Sequence, residues 1–410
     1  MHRFMLLIGP GILVAATGIG AGDLATAAFT GSQLGVAVLW AVPVGAAMKF
    51  VVSEGLARWQ LSTGTTLLKG ASLRLGRPVQ YIFLVYLLFW SFFVGSALIS
   101  ACGVTAQAIF PIWKHDQTGK VIWGICHSAV GAVLVRWGSF RLFENVMRLF
   151  IGIMFVTVIV TAGLLVESWE TIFRGLYIPS IPYGDGEGVS WTVALIGGVG
   201  GTVTILCYGY WIQEAGRHGV SGLKVCRIDL AIAYTMTALF GLAMLIVGST
   251  LEIEKEKSSQ LIVALANQLE KPLGTFSRWA FLIGAWGAVS SSLLGVWQSV
   301  PYLFADFYGI LRSKSGGHDL RETPAYRNFL YGLAIVPLTG LFYHFREIQK
   351  WYALIGAGFM PLLALVLLLM NSRSEWIGKR LRNGWVACAA LLVTVLFFVV
   401  FGAIEIQRRW

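Results

Sequence analysis

Charged residues are scarce in this chain of 410 residues: Lys, Arg, Asp and Glu make up 12% of it, against about 25% in a soluble globular protein. Hydrophobic residues make up 57%, and the mean hydropathy is +0.73. Apolar runs of about 20 residues recur, which is long enough for a helix to cross a bilayer. The alternating ten-residue segments of a membrane β-barrel are absent. The composition therefore excludes a soluble domain and predicts an all-α polytopic membrane protein.

Cysteines and enzyme motifs are also sparse. The chain has five scattered cysteines without a CxxC pair, which argues against a disulfide framework or a thiolate metal site. No HExxH, GxSxG or Walker-type loop occurs, so we expect neither an enzyme nor a cofactor. The net charge of +11 is typical of basic loops beside a membrane. We therefore expect the lipid bilayer as a partner and no nucleic acid; the oligomeric state stays open, with a monomer plausible.

Eleven membrane-spanning helices are predicted from the apolar runs. The first is a retained span and not a signal peptide, because no convincing cleavage site precedes its continuation past Asp23. Residues 169–190 are predicted to be a loop from their Pro and Gly content, and 252–260 a solvated connection. The predicted spans are 5–30, 33–57, 79–110, 119–136, 142–167, 190–213, 227–251, 276–308, 328–345, 350–371 and 384–406.

Positive charge predicts how the chain lies in the membrane. With the N-terminus in the cytoplasm, 18 of the 31 Lys and Arg residues fall on the cytoplasmic side and 11 outside, while Lys49 and Arg148 lie in or at spans. Excess positive charge marks the cytoplasmic side of a membrane protein. We therefore expect an integral protein of the cell (inner) membrane with its N-terminus inside and its C-terminus outside.

An odd number of spans suits two five-span halves plus one extra helix. The chain, 1–410, is then a single transmembrane domain with a first repeat over 1–168, a second over 190–371, and an eleventh span over 384–406. Spans 1 and 6 become equivalent, and glycines interrupt both, in "TGIGAGD" and "ALIGGVGGTVTILCYGYW". Matching interruptions are typical of the binding site of an inverted-repeat transporter. Glycines that merely allow close helix packing are the alternative explanation.

Several segments carry a resemblance to a known family. They are "GPGILVAA" (9–16), "ATAAFTGSQLGVAVLWAVPVG" (25–45), "RIDLAIAY" (227–234) and "SSSLLGVWQS" (290–299). The chain resembles the Nramp family of proton-coupled divalent metal transporters over most of its length. The resemblance implies a LeuT-type 5+5 inverted repeat with eleven transmembrane helices, and a divalent metal ion as substrate.

The family's binding motifs are altered in this chain. Where the family has Asp-Pro-Gly-Asn in span 1, the gap-free alignment places Gly20-Ala21-Gly22-Asp23. Where it has Met-Pro-His in span 6, the chain has Thr204-Ile205-Leu206. The family's third span carries acids linked to proton movement, and 79–110 has none. We therefore expect weak or absent proton coupling.

Asp23 is the strongest site candidate, since an ionisable residue within a span indicates function by default. A thioether selects softer transition metals, and its loss leaves an all-oxygen site suited to hard or hydrated cations. We predict substrate binding by Asp23, a tentative metal ligand, with the carbonyls of Gly20 and Gly201 and the hydroxyl of Thr204. Alternatively, Asp23 caps the helix that follows it.

Lys49 is unusual for a cation site, because a fixed positive charge repels the substrate. It snorkels to the interface, pairs with Glu54, pairs with Asp23 across helices, or stands in for a coupling cation. Glu54 and Arg58 are spaced i,i+4 on one helix face, which favours a structural pair.

Further polar residues lie near the interrupted spans. Tyr208 follows the break in span 6 and either gates the cavity or fills the bundle. Gln298 lies in a polar stripe on span 8 that either lines the vestibule or bonds back to its own helix. We expect Asp229 beside Arg227 to hold the start of span 7. Other acids predicted to lie at span ends are Glu144, Glu214 and Asp306.

These observations lead to one principal hypothesis and two rivals. The principal hypothesis is a secondary transporter of divalent metal ions that works by alternating access around a site between spans 1 and 6. One rival is a transporter of a non-metal solute on the same fold, with Lys49 and Asp23 as counter-charges. The other is a membrane sensor that does not transport.

Overall fold

The computed structural model describes residues 19–137, 141–182, 186–252, 258–312 and 320–409, which contain helices and no β-strand. The first part of predicted span 1, including "GPGILVAA", lies outside these ranges. The side chains of Glu144 and Glu214 lie outside the description as well, so their predicted positions at span ends stay predictions.

A π-helical segment, Ile19–Thr26, begins the described chain and runs directly into the first α-helix. Short 3-10 segments interrupt or join the helices at Gly35–Val38, Val203–Cys207 and Val336–Phe342. The α-helices are α1 (Ala27–Leu34), α2 (Ala41–Thr63), α3 (Leu67–Leu75), α4 (Arg77–Ile109), α5 (Asp116–Trp137), α6 (Arg141–Leu164), α7 (Trp169–Tyr177), α8 (Gly186–Gly198), α9 (Tyr208–Glu214), α10 (Gly219–Ser249), α11 (Leu261–Leu273), α12 (Thr275–Leu311), α13 (Pro324–Ile335), α14 (Phe345–Asn371), α15 (Ser374–Ile377) and α16 (Trp385–Arg409).

The prediction of a helical membrane protein is confirmed, whereas the predicted number of spans is not. Within the described ranges, seven helices are long and apolar enough to cross a membrane, or nine if two bent pairs each count as one span. One bent pair joins Gly22–Val38 to Ala41–Thr63 at 108°. The count of eleven therefore stays a prediction.

Two helices lie between the predicted spans. Part of the predicted loop 169–190 is α7, whose first turn is capped because Ser168 Oγ accepts a hydrogen bond from the Thr171 N–H at 3.4 Å. The helix α11 follows the predicted solvated connection, and it buries Leu265 and Leu269 against the bundle. Short amphipathic helices lack the long apolar run by which spans are recognised.

Two span boundaries also differ from the prediction. The helix predicted over 33–57 begins instead at Ala41 and ends at Thr63, because Gly35 (φ +64°) ends α1 and a 3-10 turn follows before α2 begins. The seventh span begins at Gly219 (φ +63°), eight residues before the predicted start. The first two turns, 219–226, carry the charged residue Lys224 and were therefore not recognised from the hydropathy pattern.

Glycines let the central helices touch through their main chains. A methyl group on Gly248 of α10 would overlap the carbonyl of Ala28 in α1, and one on Gly31 of α1 would lie 2.9 Å from the Ser249 nitrogen. Small residues at helix interfaces allow such close approach in membrane proteins. The last helix, α16, exposes many of its large apolar side chains and lies at the periphery.

Candidate functional site

Span 6 is broken where the sequence predicts it. Helix α8 ends at Gly198, and Gly200 (φ +72°) and Gly201 (φ +83°) follow in the left-handed region, which side chains other than glycine's rarely adopt. The chain resumes as the 3-10 segment Val203–Cys207 and then α9. The break leaves the last carbonyls of α8 without partners inside that helix.

Span 1 is distorted at the same level, because residues 19–26 form a π-helix. Gly22 packs directly on the end of α8: a methyl group here would overlap the carbonyl oxygen of Gly198. π-Helical segments are rare and often lie at functional sites. Only a glycine lets the two main chains come this close, so the π-helical segment of span 1 contacts the break in span 6.

A carboxylate joins the π-helical segment of span 1 to the break in span 6. Asp23 is completely buried, and its Oδ1 accepts a hydrogen bond from the Gly200 N–H at 3.1 Å. Its Oδ2 has no hydrogen-bond partner in the described part of the chain. The alternative that Asp23 caps its own helix is wrong, because it caps the break in the other span, and α1 begins after Thr26 without a side-chain cap. A buried carboxylate oxygen with an unmet hydrogen bond is costly, and a cation would relieve that cost.

Lys49 reaches the same place from α2. It is completely buried, and its ammonium donates hydrogen bonds to the carbonyl of Gly197 at 2.7 Å and to the carbonyl of Gly201. It also interacts electrostatically with Asp23. Of the alternatives weighed for Lys49, snorkelling and pairing with Glu54 are wrong, because the ammonium lies on the broken span and Glu54 is held elsewhere.

Glu54 lies outside the junction, by which we mean the place where the π-helical segment of span 1 contacts the break in span 6. Its Oε2 pairs with Arg58 at 2.5 Å, as the i,i+4 spacing predicts, and its Oε1 pairs with Arg227 of α10 at 2.7 Å. Asp229, beside Arg227 in the sequence, pairs with Arg217 at 2.8 Å. The Glu54–Arg227 pair joins α2 to α10, and the Arg217–Asp229 pair joins the segment before α10 to that helix.

The remaining predicted site residues take different places. Gly20 lies in the π-helical segment, and Thr204 is buried in the 3-10 segment after the break. Tyr208 is completely buried at the start of α9 and interacts with Cys226 and Asp229. Gln298 is half-buried on α12. The structure therefore brings Asp23, Gly201 and Lys49 together, while the roles of the others stay predictions.

Two aromatic residues hold the break in a way that sequence reasoning missed. The indole Nε1 of Trp90 donates to the hydroxyl of Thr202 at 3.0 Å. The ring of Tyr234 packs on Gly200, and its hydroxyl lies 2.8 Å from Ser53 Oγ. Apolar spans are full of aromatic residues, so no local signal separates these two from the rest.

The donor set is poor for a transition-metal centre. In the described ranges, no group of three or more His, Cys, Asp and Glu side chains is placed to hold a metal ion. The junction instead offers one carboxylate, main-chain carbonyls and hydroxyls around a buried positive charge. This arrangement is that of helical membrane transporters that bind substrates at broken helices.

Comparisons with known proteins agree with this class. The Nramp family, described as natural resistance-associated macrophage protein-like, matches residues 11–406. The chain therefore belongs to the Nramp family. The divalent metal cation transporter MntH of Caldanaerobacter subterraneus subsp. tengcongensis is 23% identical over 325 residues, which are 72% of this chain and 70% of that protein.

Solved structures share the fold. The Eremococcus coleocola manganese transporter, in complex with an aromatic bis-isothiourea compound, superposes with a TM-score of 0.72 at 16% identity, covering 99% of this chain and 87% of that one. MhsT in complex with L-phenylalanine superposes with a TM-score of 0.65 at 14% identity, covering 98% of both chains. At these identities the likeness concerns the fold alone.

Proposed function

We propose that this protein is a secondary transporter of divalent metal ions whose substrate binds where the π-helical segment of span 1 contacts the break in span 6. The observation that carries the proposal is the buried Asp23, whose Oδ2 has no hydrogen-bond partner among the described residues. Family membership supports a divalent metal as cargo. The substrate ligands are Asp23, the carbonyls of Gly20 and Gly201, and the Thr204 hydroxyl.

Transport proceeds by alternating access, with one group of helices rocking against the other around the fixed site. The proposal includes eleven spans in two inverted five-span repeats, an inside N-terminus and an outside C-terminus. Proton coupling is weak or absent, because α4 carries no acidic residue. An oxygen-only ligand set favours hard or hydrated cations over soft ones.

A specific observation favours a second candidate, a transporter of a non-metal solute. Lys49 already places a positive charge on the carbonyl of Gly201, which is one of the proposed metal ligands. With Asp23 it forms a pair of opposite charges, which suits a solute that carries both signs. The fold is compatible with such a solute, since MhsT was solved with L-phenylalanine.

Uptake into proteoliposomes that contain a metal-sensitive dye and a pH dye separates the candidates. We expect Mn²⁺ or Mg²⁺ uptake with little acidification, reduced at least about tenfold in Asp23→Asn because the substitution removes the only site charge opposite to the cargo. Glu375→Gln, which changes an exposed carboxylate in α15, is the matched control. The absence of uptake and of calorimetric binding for every divalent ion at millimolar concentration would overturn the metal proposal. Strong metal-driven acidification would overturn the uncoupled mechanism.

A further inference from the structure

Lys49 meets the broken sixth span in the manner of a bound ion. Its ammonium donates to two main-chain carbonyls, those of Gly197 and Gly201, on the two sides of the break. Gly197 lies in the last turn of α8, so its carbonyl has no partner inside the helix. Carbonyls freed by discontinuous helices coordinate cations in membrane proteins.

The charged groups around Lys49 show which of them can pair with its ammonium. A buried lysine is costly unless it is paired. The acid on its own helix, Glu54, is engaged by Arg58 and Arg227. Among the residues that the structure describes, the remaining negative charge near Lys49 is Asp23, which reaches the same break through the N–H of Gly200. The ammonium therefore neutralises the carboxylate and satisfies the carbonyls at once.

We propose that Lys49 is a tethered cation and the specificity-determining residue of this site: its ammonium fills the carbonyl cage, and a free metal ion binds there only when the ammonium leaves. The inference rests on the proposed function, because it concerns the same site. It adds that the Lys49 ammonium and the transported metal ion compete for that site. A divalent ion beside an unmoved ammonium is repelled, because like charges then lie side by side.

The affinity of the purified full-length chain for Mn²⁺ measures this competition directly. We expect Lys49→Ala to bind Mn²⁺ at least about tenfold more tightly than the wild type in titration calorimetry, because the resident charge is gone. Lys49→Met, which keeps an unbranched side chain, gives the same gain if the alanine variant folds poorly. Lys49→Arg retains the charge and keeps binding at the wild-type level.

A second buried lysine provides the matched control. Lys120 on α5 is also completely buried, and its ammonium donates to the carbonyl of Tyr343 at 2.7 Å. Lys120→Ala removes a buried ammonium from a single carbonyl and should leave Mn²⁺ affinity unchanged. A lysine with only a structural role would change thermal stability in both variants and metal affinity in neither.

An added amine tests the cage itself. n-Propylammonium has the atoms that Lys49→Ala removes, so it should raise the melting temperature of that variant and compete with Mn²⁺ for it. It should not raise the melting temperature of the wild type, and 1-propanol should have no effect on either protein.

The outcomes separate this inference from the proposed function. The tethered-cation proposal would be overturned if Lys49→Ala and Lys49→Met fold as monodisperse proteins and bind Mn²⁺ no more tightly than the wild type does. A wild type that transports no divalent metal would overturn the proposed function, while the gain of binding in Lys49→Ala would still support the tethered cation.

Discussion

Substituting Gly200 by alanine tests how closely the structure packs around the broken span. Gly200 has φ +72°, and a methyl group on it would lie 2.9 and 3.2 Å from two ring carbons of Tyr234 and 3.3 Å from Thr237 Cγ2. The left-handed backbone costs about 1–2 kcal/mol for a residue with a side chain. Crowding in a packed interior adds about 1–3 kcal/mol, so we expect a loss of about 2–5 kcal/mol.

The neighbours of Gly200 have little room to yield. Tyr234 is 3% exposed, and its hydroxyl is hydrogen-bonded to Ser53, so a shift of the ring disturbs α2 as well. The N–H that holds Asp23 is retained in the alanine variant, and only its direction changes. We therefore expect cation binding to fall together with stability.

Substitutions of two further glycines separate the cost of the left-handed backbone from the cost of crowding. Gly219 has φ +63° with nothing within 4 Å of an added methyl group, so Gly219→Ala carries the backbone cost alone. Gly358 lies inside α14 in open space, so Gly358→Ala is neutral or stabilising by up to about 1 kcal/mol. The assay is the midpoint of thermal unfolding in detergent. A Gly200→Ala midpoint no lower than that of Gly219→Ala would refute the packing argument.

Two other contacts allow simpler tests by the same thermal measurement. Glu54→Gln should destabilise the protein by about 3 kcal/mol, because it leaves the buried Arg58 without its charged partner. Arg227→Gln should cost less than about 1 kcal/mol, since that arginine is 55% exposed, and equal losses in the two variants would contradict this ranking. Trp90→Phe should cost about 1 kcal/mol through its lost bond to Thr202, and an unchanged midpoint would show that the bond contributes nothing.

Much of the membrane fold was predictable from the sequence, because long apolar runs have few structural outcomes in a bilayer. The glycine clusters around Gly22 and Gly200 predicted breaks. The structure shows a break at Gly200 and a π-helical segment around Gly22, and it brings the two into contact. The short helices α7 and α11 were missed because their signal is a half-buried face and not an apolar run. The start of α10 was missed because the charged residue Lys224 lies in its first two turns.

Within the site, sequence reasoning identified the chemical groups but not their partners. Asp23 and Lys49 stand out as charges inside apolar spans, and a local cap for Asp23 and an intrahelical pair for Lys49 were reasonable alternatives. The contacts seen are long-range: Lys49 is 148 residues from Gly197, and Asp23 is 177 residues from Gly200. Sequence periodicity carries no information at such separations.

The amino-acid sequence by itself determined that this chain is a helical membrane protein with two interrupted spans and a buried acid, because apolar length and glycine content act locally. The tertiary structure decided which groups face one another: Gly22 against Gly198, Asp23 on the N–H of Gly200, and Lys49 on the freed carbonyls. The physical reason is that an unsatisfied main-chain group within a membrane takes whichever donor or acceptor the packed helices bring to it.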